Sequence, residues 1–318
     1  MKILTTIALL LASSIRLASP IAYAAIGGCF SERSGITALG LEGMMLSGAF
    51  FAVLGSYCSG SPWIGLLFAC FGGALIALIH AVFSIRFRAN QIVCGIGVNM
   101  LSVGLTTVLL SKIWGDKGKS ASVANFQTLK LPGISQIPVI NKIFEQDVLI
   151  YLLVLILILS WVVLYKTPLG TRIRAAGEHP EALDSLGLNA CGIRYGCVIL
   201  SGMLAGLGGA CLSIGQLSFF SQNMTDGKGY IAIAAFVFGG WDPISATAVA
   251  LLFGFMEALQ LRLQSVVKYT QLIQMIPYIL TVVVISSRMA GRVSAPAAVG
   301  VPYYIKMNRR KKYEKKSI

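Results

Sequence analysis

The stretch "VLIYLLVLILILSWVVLYKTPLGTRIRAAGEHPEALDSLGLN", residues 148–189, joins two opposite kinds of chain. Its first eighteen residues, 148–165, are apolar except for a serine and two tyrosines. About 20 such residues, rising 1.5 Å each as a helix, span the hydrocarbon of a bilayer. The segment after it, 167–189, carries three acids, two arginines, a histidine and two prolines, and no bilayer interior accepts that density of charge. The chain leaves the membrane at Lys166 and forms a polar helical connection before entering it again.

Composition extends that reading to the whole chain. Of 318 residues, 56% are hydrophobic and only 12% charged, with mean hydropathy +0.78, too few charges to solvate a globule of this size. The net charge of +14 is read as topology rather than as a nucleic-acid footprint, because many of the basic residues flank apolar runs. The seven cysteines lie mostly in apolar segments and none forms a CxxC pair, so buried small residues are the better reading than metal or disulfide roles. The N-terminal run "MKILTTIALLLASSIRLASPIAYAA" has a signal-like beginning. Arg16 and Pro20 interrupt it and the apolar character resumes at once, so it is read as retained, a short interfacial helix leading into the first span.

Spans are expected near 17–31, 38–57, 62–83, 92–112, 148–165, 192–215, 244–261 and 272–290. The apolar piece at 229–240 is too short to cross as a regular helix and ends in Gly239, Gly240, Trp241, Asp242 and Pro243, which break helices. The expected fold is an all-α polytopic membrane protein of about eight or nine transmembrane helices, one of them a broken half-span. Arg86 and Arg88 in 84–91, Lys166, Arg172 and Arg174 in 166–174, and the tail after 303 place those segments on the cytoplasmic side by the positive-inside rule. The loop 113–147 is then external. The tail agrees only if 229–240 crosses rather than turning back. The expected layout is a permease domain, 1–303, with a cytoplasmic loop at 166–190, and a basic tail, 304–318. The 34 glycines, including Gly202 and Gly206 at small-residue spacing, suit close helix packing.

The polar connection has the marks of a docking element. Pro180 suits a first helical turn, Glu181 and Asp184 suit its positive end, and Gly187 suits its close. A two-turn helix over 180–186 would place Ala182, Leu183 and Leu186 on one apolar face able to enter a groove on a partner.

At membrane depth, Glu42 and Glu257 would be costly against lipid and should face the bundle interior or a wet cavity, where each either lines a path or bonds a neighbouring helix. Asn99, Gln216 and Gln260 either bind a polar cargo or act as interhelical glue. Asp242 reads as a helix cap at the break. Gly118–Ser120 is the sole string resembling a phosphate loop, and no glycine stands five positions earlier to complete it. With two histidines and no paired catalytic carboxylates, no nucleophile, metal site or cofactor site is expected.

The motif "GEHPEALDSLGLN", 177–189, resembles the coupling loop of permease subunits in the bacterial ATP-binding-cassette importers for branched-chain amino acids, ribose and nucleosides. His179 stands where that family usually has Asn, and Leu183 replaces the second of two alanines. "FSERSGITALGLEGMMLSGAF" at 30–50, "GIGVNMLSVGLT" at 95–106, residues 199–243, "FGFMEALQLRLQ" at 253–264 and "SAPAAVGVPY" at 294–303 resemble its nucleoside-type branch, which includes riboflavin and simple-sugar importers. Gly240 departs from the arginine usual in "FGRW". The resemblance implies a transport subunit without its own ATPase, paired with a second homologous permease, two cytosolic ATPase domains and an extracytoplasmic solute-binding protein. Its coupling residues would be Gly177, Glu178, His179, Pro180, Glu181, Ala182, Leu183, Leu186 and Gly187. A self-sufficient secondary carrier or channel is the alternative from another class, and the docking-like segment argues against it because such a carrier has no partner groove to enter.

Overall fold

The computed structural model describes residues 2–116, 118–129, 141–264, 275, 279 and 295–303. The helices are α1 (Lys2–Arg33), α2 (Leu41–Ser59), α3 (Pro62–Ala81), α4 (Gln91–Trp114), α5 (Asn141–Phe144), α6 (Val148–Lys166), α7 (Pro168–Glu178), α8 (Pro180–Ser185), α9 (Ala190–Ala210), α10 (Lys228–Phe238) and α11 (Pro243–Gln264). Helices α3 and α9 continue as wider π-turns over Val82–Arg86 and Cys211–Leu217. A two-residue antiparallel pair, β1 (Thr128–Leu129) with β2 (Gln146–Asp147), is the sheet among the described residues.

Seven of these helices are long and apolar enough to cross a membrane, and α10 is a shorter apolar piece. The chain is an all-α, multi-pass membrane protein. The span expected at 272–290 lies outside the described residues. Two other expectations change. Residues 2–33 form one continuous helix through Pro20 rather than an interfacial helix followed by a span. The second span begins at Leu41, not 38, because Ser34–Gly40 is non-helical and Gly35 takes a left-handed φ of +94°.

Helices α1, α2 and α9 form the centre. Helix α9 packs on α1, α2 and α3; α4 lies on α2 and α3, while α10 and α11 pack on α1. The backbones approach closely where glycines meet. An added Cβ at Gly48 would collide with Gly206, at Gly73 with the Gly202 carbonyl, and at Gly206 with the Ala69 carbonyl. Outward faces of α3, α4 and α6 are apolar, with Leu67, Phe71, Met100, Val108 and Ile158 more than half exposed. Water would penalise such surface by about 25 cal/mol per Å², a penalty absent in hydrocarbon.

Contacts along α1 define two ends. At one, Ala12 and Arg16 carbonyls accept from Gln146 (3.3 Å) and Gln216 (2.8 Å), and Thr6 accepts from Arg262 (3.3 Å). The same end holds 118–126, which hydrogen-bonds to 214–222. At the other end, Arg33 meets the α10–α11 break, and Thr37 bonds to Gln91 at the start of α4. Segment 218–240 therefore runs from one end to the other. It crosses as a broken half-span, and α11 returns.

Local chemistry sets the boundaries. Thr167 caps α7, accepting from the Gly170 amide at 3.3 Å with Pro168 at the first helical position, and Asn189 caps α9 by accepting from Gly192 at 2.9 Å. Asp242 caps α11 as expected, its carboxylate accepting from the Ser245 amide at 2.9 Å.

Candidate functional site

Two arrangements stand out, one at mid-depth and one at the Arg33 end. Asn99 lies eight residues into α4, about 12 Å from its start at 1.5 Å per residue. Its Oδ1 accepts from the Gly43 amide (2.8 Å), and its Nδ2 donates to the Leu39 carbonyl (2.9 Å) and the Tyr230 hydroxyl (3.0 Å). Beside it, Glu42 Oε1 accepts from the Thr225 hydroxyl (2.6 Å) and the Gly227 amide (3.0 Å), and Oε2 accepts from the Gly229 amide (2.7 Å). A carboxylate thus sits on the free amides and positive dipole end of α10. Glycine is required at 229, where a Cβ would lie 2.5 Å from the Glu42 Cα. Glu42 therefore stands at the depth of Asn99, deeper than the one turn from the boundary that the expected span 38–57 implies.

These groups floor an open pocket of about 360 Å³, whose lining also includes Met100, Val103, Asn223 and Tyr230. Met100, Val103 and Tyr230 are exposed, so the pocket opens on the outer face of this subunit rather than into its core. Of the other expected path residues, Glu257 joins this region through an ion pair with Lys228 at 2.5 Å. Gln216 does not. It donates to Arg16 near the far end. Gln260 lies one turn beyond Glu257 on α11 and is half-buried.

At the Arg33 end, α7 and α8 form the polar connection. Gly187 closes α8 with φ +78°, and Leu188 donates to the Leu183 carbonyl at 3.0 Å. The expected apolar docking face is divided. Leu183 is 3% exposed and packs with Ala176 and Ala190, and Pro180 is also buried. What faces outward is Glu178, His179, Glu181, Ala182 and Leu186, the last 77% exposed. Helix α8 ends at Ser185, so Leu186 lies just past it.

Residues 295–303 lie along this connection. Ala298 donates to the Gly177 carbonyl (2.8 Å), Ala297 to the Glu178 carboxylate (3.2 Å), and the Tyr303 hydroxyl to Asp184. Burial, then the Asp184 carboxylate, pushes the Tyr303 phenol above its ordinary pKa and keeps it a donor. Between strap and α8 lies a concavity of about 650 Å³ lined by His179, Glu181, Ala182, Val301 and Pro302 among others.

A family model described as the branched-chain amino acid transport system / permease component matches residues 10–285. The chain belongs to that permease family. The guanosine ABC transporter permease protein NupQ of Bacillus subtilis is 40% identical to this permease over 315 residues, covering 95% of this chain and 98% of that one. The nucleoside ABC transporter permease protein NupC of Lactococcus lactis is 36% identical over 315 residues, 95% and 99% of the two chains. A second Bacillus subtilis protein, the guanosine ABC transporter permease protein NupP, is 24% identical over 248 residues, 76% and 70%.

The permease also has residues that sequence reading missed. Arg33 donates to the carbonyls of Gly240 (3.2 Å) and Trp241 (3.1 Å), and Glu32 accepts from the Trp241 indole at 2.6 Å. A cation from α1, Arg33, thus meets the break at Gly240, the position where the family usually has arginine. Gly240 and Trp241 both have positive φ, +64° and +57°, a conformation glycine adopts without the strain a side chain brings. Arg194, 1% exposed, donates to Ser34 (3.0 Å) and Ala176 (3.1 Å). A lone arginine at the start of an apolar run gave no signal beyond charge flanking a span.

Proposed function

We propose that this permease conducts nucleosides inward as one half of an ATP-binding-cassette importer in a bacterial inner membrane. The observation carrying the reading is its near full-length similarity to NupQ and NupC, which are named for guanosine and nucleoside transport. The mid-depth pocket suits such cargo. Its volume falls within the range of about 300–1,000 Å³ usual for small-molecule sites. Tyr230 supplies a ring face for a base, held by Asn99 through its hydroxyl, and Asn223 supplies an amide for polar edges.

The pocket opens outward, which suits a path completed by a second, non-identical permease. NupP and NupQ, two permease proteins named for guanosine in one organism, both resemble this chain and support an unequal pair. The Arg33 end is cytoplasmic in this reading, with 166–190 and the tail, 304–318, on that side and 113–147 outside. A cytosolic ATPase docks at Glu178, His179, Glu181, Ala182 and Leu186, and an extracytoplasmic binding protein delivers cargo at the opposite end. ATP is hydrolysed by the partner, and the permease turns the movement of α8 into a change in the side its pocket faces.

The test has two arms. Removing the chain from its native cell should abolish uptake of labelled guanosine while uptake of riboflavin and glucose persists. Unchanged guanosine uptake would overturn the cargo. Ala182→Asp places a charge on the exposed face of α8 and should abolish co-purification of the ATPase; retention of the ATPase would overturn the docking assignment.

A further inference from the structure

Arg194 occupies an unusual place for a cation. It is 1% exposed, and its guanidinium donates to two main-chain carbonyls rather than to a carboxylate. Both carbonyls belong to helix C-termini. Ser34 directly follows the end of α1, and Ala176 lies in the last turn of α7. A guanidinium there meets the negative ends of two helix dipoles and satisfies acceptors that have no intrahelical donor. Its planar fork addresses two acceptors at once in a way that a single ammonium does not.

The surroundings are shaped to the same group. A Cβ at Gly35 would lie 2.7 Å from the Arg194 Nη2, and that glycine has φ +94°. A Cβ at Gly177 would collide with the Arg33 carbonyl, so α7 abuts the end of α1. The third side is the strap. The Tyr303 ring lies with its centroid 5.5 Å from the guanidinium carbon, and its hydroxyl donates to Asp184 of α8. Asp184 also accepts from the Ala190 amide at 3.1 Å, at the start of the helix that bears Arg194.

We infer that Arg194 is the positioning residue that carries displacement of α8 and α7 into the Ser34–Gly40 segment and so to the Glu42–Asn99 pocket. The route is continuous in contacts. Asp184 holds Tyr303, Tyr303 covers Arg194, and Arg194 holds Ser34 and Ala176 together. Ser34 opens the non-helical segment whose Leu39 carbonyl accepts from Asn99 at 2.9 Å and which ends one residue before Glu42. Rigid links between two sites carry coupling when both bias one element, here that segment. The inference rests on α8 being the docking helix, and Ala182→Asp tests that separately through ATPase co-purification.

The experiment uses the full complex reconstituted in vesicles and reads labelled guanosine moved per ATP hydrolysed, alongside ATPase co-purification. Tyr303→Phe keeps the ring over the guanidinium and cuts the tie to Asp184. Arg194→Lys keeps the charge and loses the fork. Both variants should assemble and hydrolyse ATP as wild type does, while transport per ATP falls about tenfold, the scale of a typical coupling between sites. A ratio equal to wild type in both variants would overturn the inference. So would loss of assembly in both, since Arg194 would then act as a packing element only.

Discussion

Glu42→Gln tests the mid-depth site directly. The carboxylate presents two acceptor oxygens to three donors, the Thr225 hydroxyl and the Gly227 and Gly229 amides, at 2.6, 3.0 and 2.7 Å. Glutamine keeps the shape but turns one acceptor into a donor. If its oxygen faces Gly229, its amide group opposes the Gly227 N–H; if reversed, it opposes the buried Gly229 N–H. Either orientation strands one amide at the start of α10. A lost hydrogen bond to a charged group costs about 1.5–3 kcal/mol, and removal of the negative charge from a helix N-terminus about 0.3–1 more, giving about 2–4 kcal/mol.

For a chain of this size about 2 °C of midpoint follows each kcal/mol, so thermal unfolding in detergent should fall by about 4–8 °C. Glu257→Gln is the matched control. Its ion pair with Lys228 has side chains 26% and 15% exposed, and loss of such a partly solvated pair should cost about 1 kcal/mol or less. A Glu42→Gln midpoint within about 1 °C of wild type, or one no lower than that of Glu257→Gln, would refute the assignment of the carboxylate as the tie between α2 and α10.

Glycine substitutions separate close approach from mere abundance. Gly206→Ala should destabilise by about 1–3 kcal/mol because its Cβ meets the Ala69 carbonyl, whereas Gly97→Ala, with nothing within 4 Å, should match wild type or gain up to about 1 kcal/mol from helix propensity in the same melting assay. Asp147→Asn should raise the midpoint at neutral pH. Burial holds the Asp147 carboxyl above its ordinary value of 3.8 against the pull of Arg16. Between that value and the raised one the folded chain binds more protons than the unfolded chain, so stability falls as pH rises through the window. The advantage of the asparagine variant should vanish below the ordinary carboxylate pKa; an advantage that persists there would refute the burial argument.

What could be read from the sequence was what is local along the chain. Seven apolar runs, the break at Gly239–Pro243, the Asp242 cap and the Gly187 close depend on residues a few positions apart, and each has its place in the structure. What was not legible depends on pairs remote in sequence. Glu42 finds Gly229 across 187 residues, and Arg194 finds Ser34 across 160. Apolar spacing is also ambiguous in a membrane protein, because lipid and protein interior accept the same side chains. Leu183 and Leu186 are equally apolar and three apart, yet one is covered by Ala176 and Ala190 and the other faces outward. Periodicity identified the pair without saying which neighbour would cover which. The start of α2 was misplaced for a related reason. Residues 38–40 are Ala, Leu and Gly, suited to a span by composition, while Glu32 accepts from the Ala38 amide and Asn99 donates to Leu39, holding them out of the helix.

Three consecutive residues at the end of α1 draw these separate observations into one mechanical arrangement. Glu32 accepts from the Trp241 indole, Arg33 donates to the Gly240 and Trp241 carbonyls, and Ser34 accepts from Arg194. The bonds of Glu32 and Arg33 hold the break between α10 and α11, and Ser34 is joined to α7 through Arg194 of α9, which also donates to the Ala176 carbonyl. Helix α10 is thereby fixed at both ends, at its C-terminal break by the end of α1 and at its N-terminus by Glu42 of α2. The segment joining those two anchors is Ser34–Gly40, which lacks the internal hydrogen-bond ladder of a helix and is held instead by Gln91, Glu32 and Asn99. A shift of the α1 end relative to α2 must therefore change either the tilt of α10 or the geometry at Glu42. Both alternatives alter the pocket that Tyr230 and Asn223 line beside the start of α10. The helix break and the intramembrane acid, which looked like separate features along the chain, are two ends of one short lever.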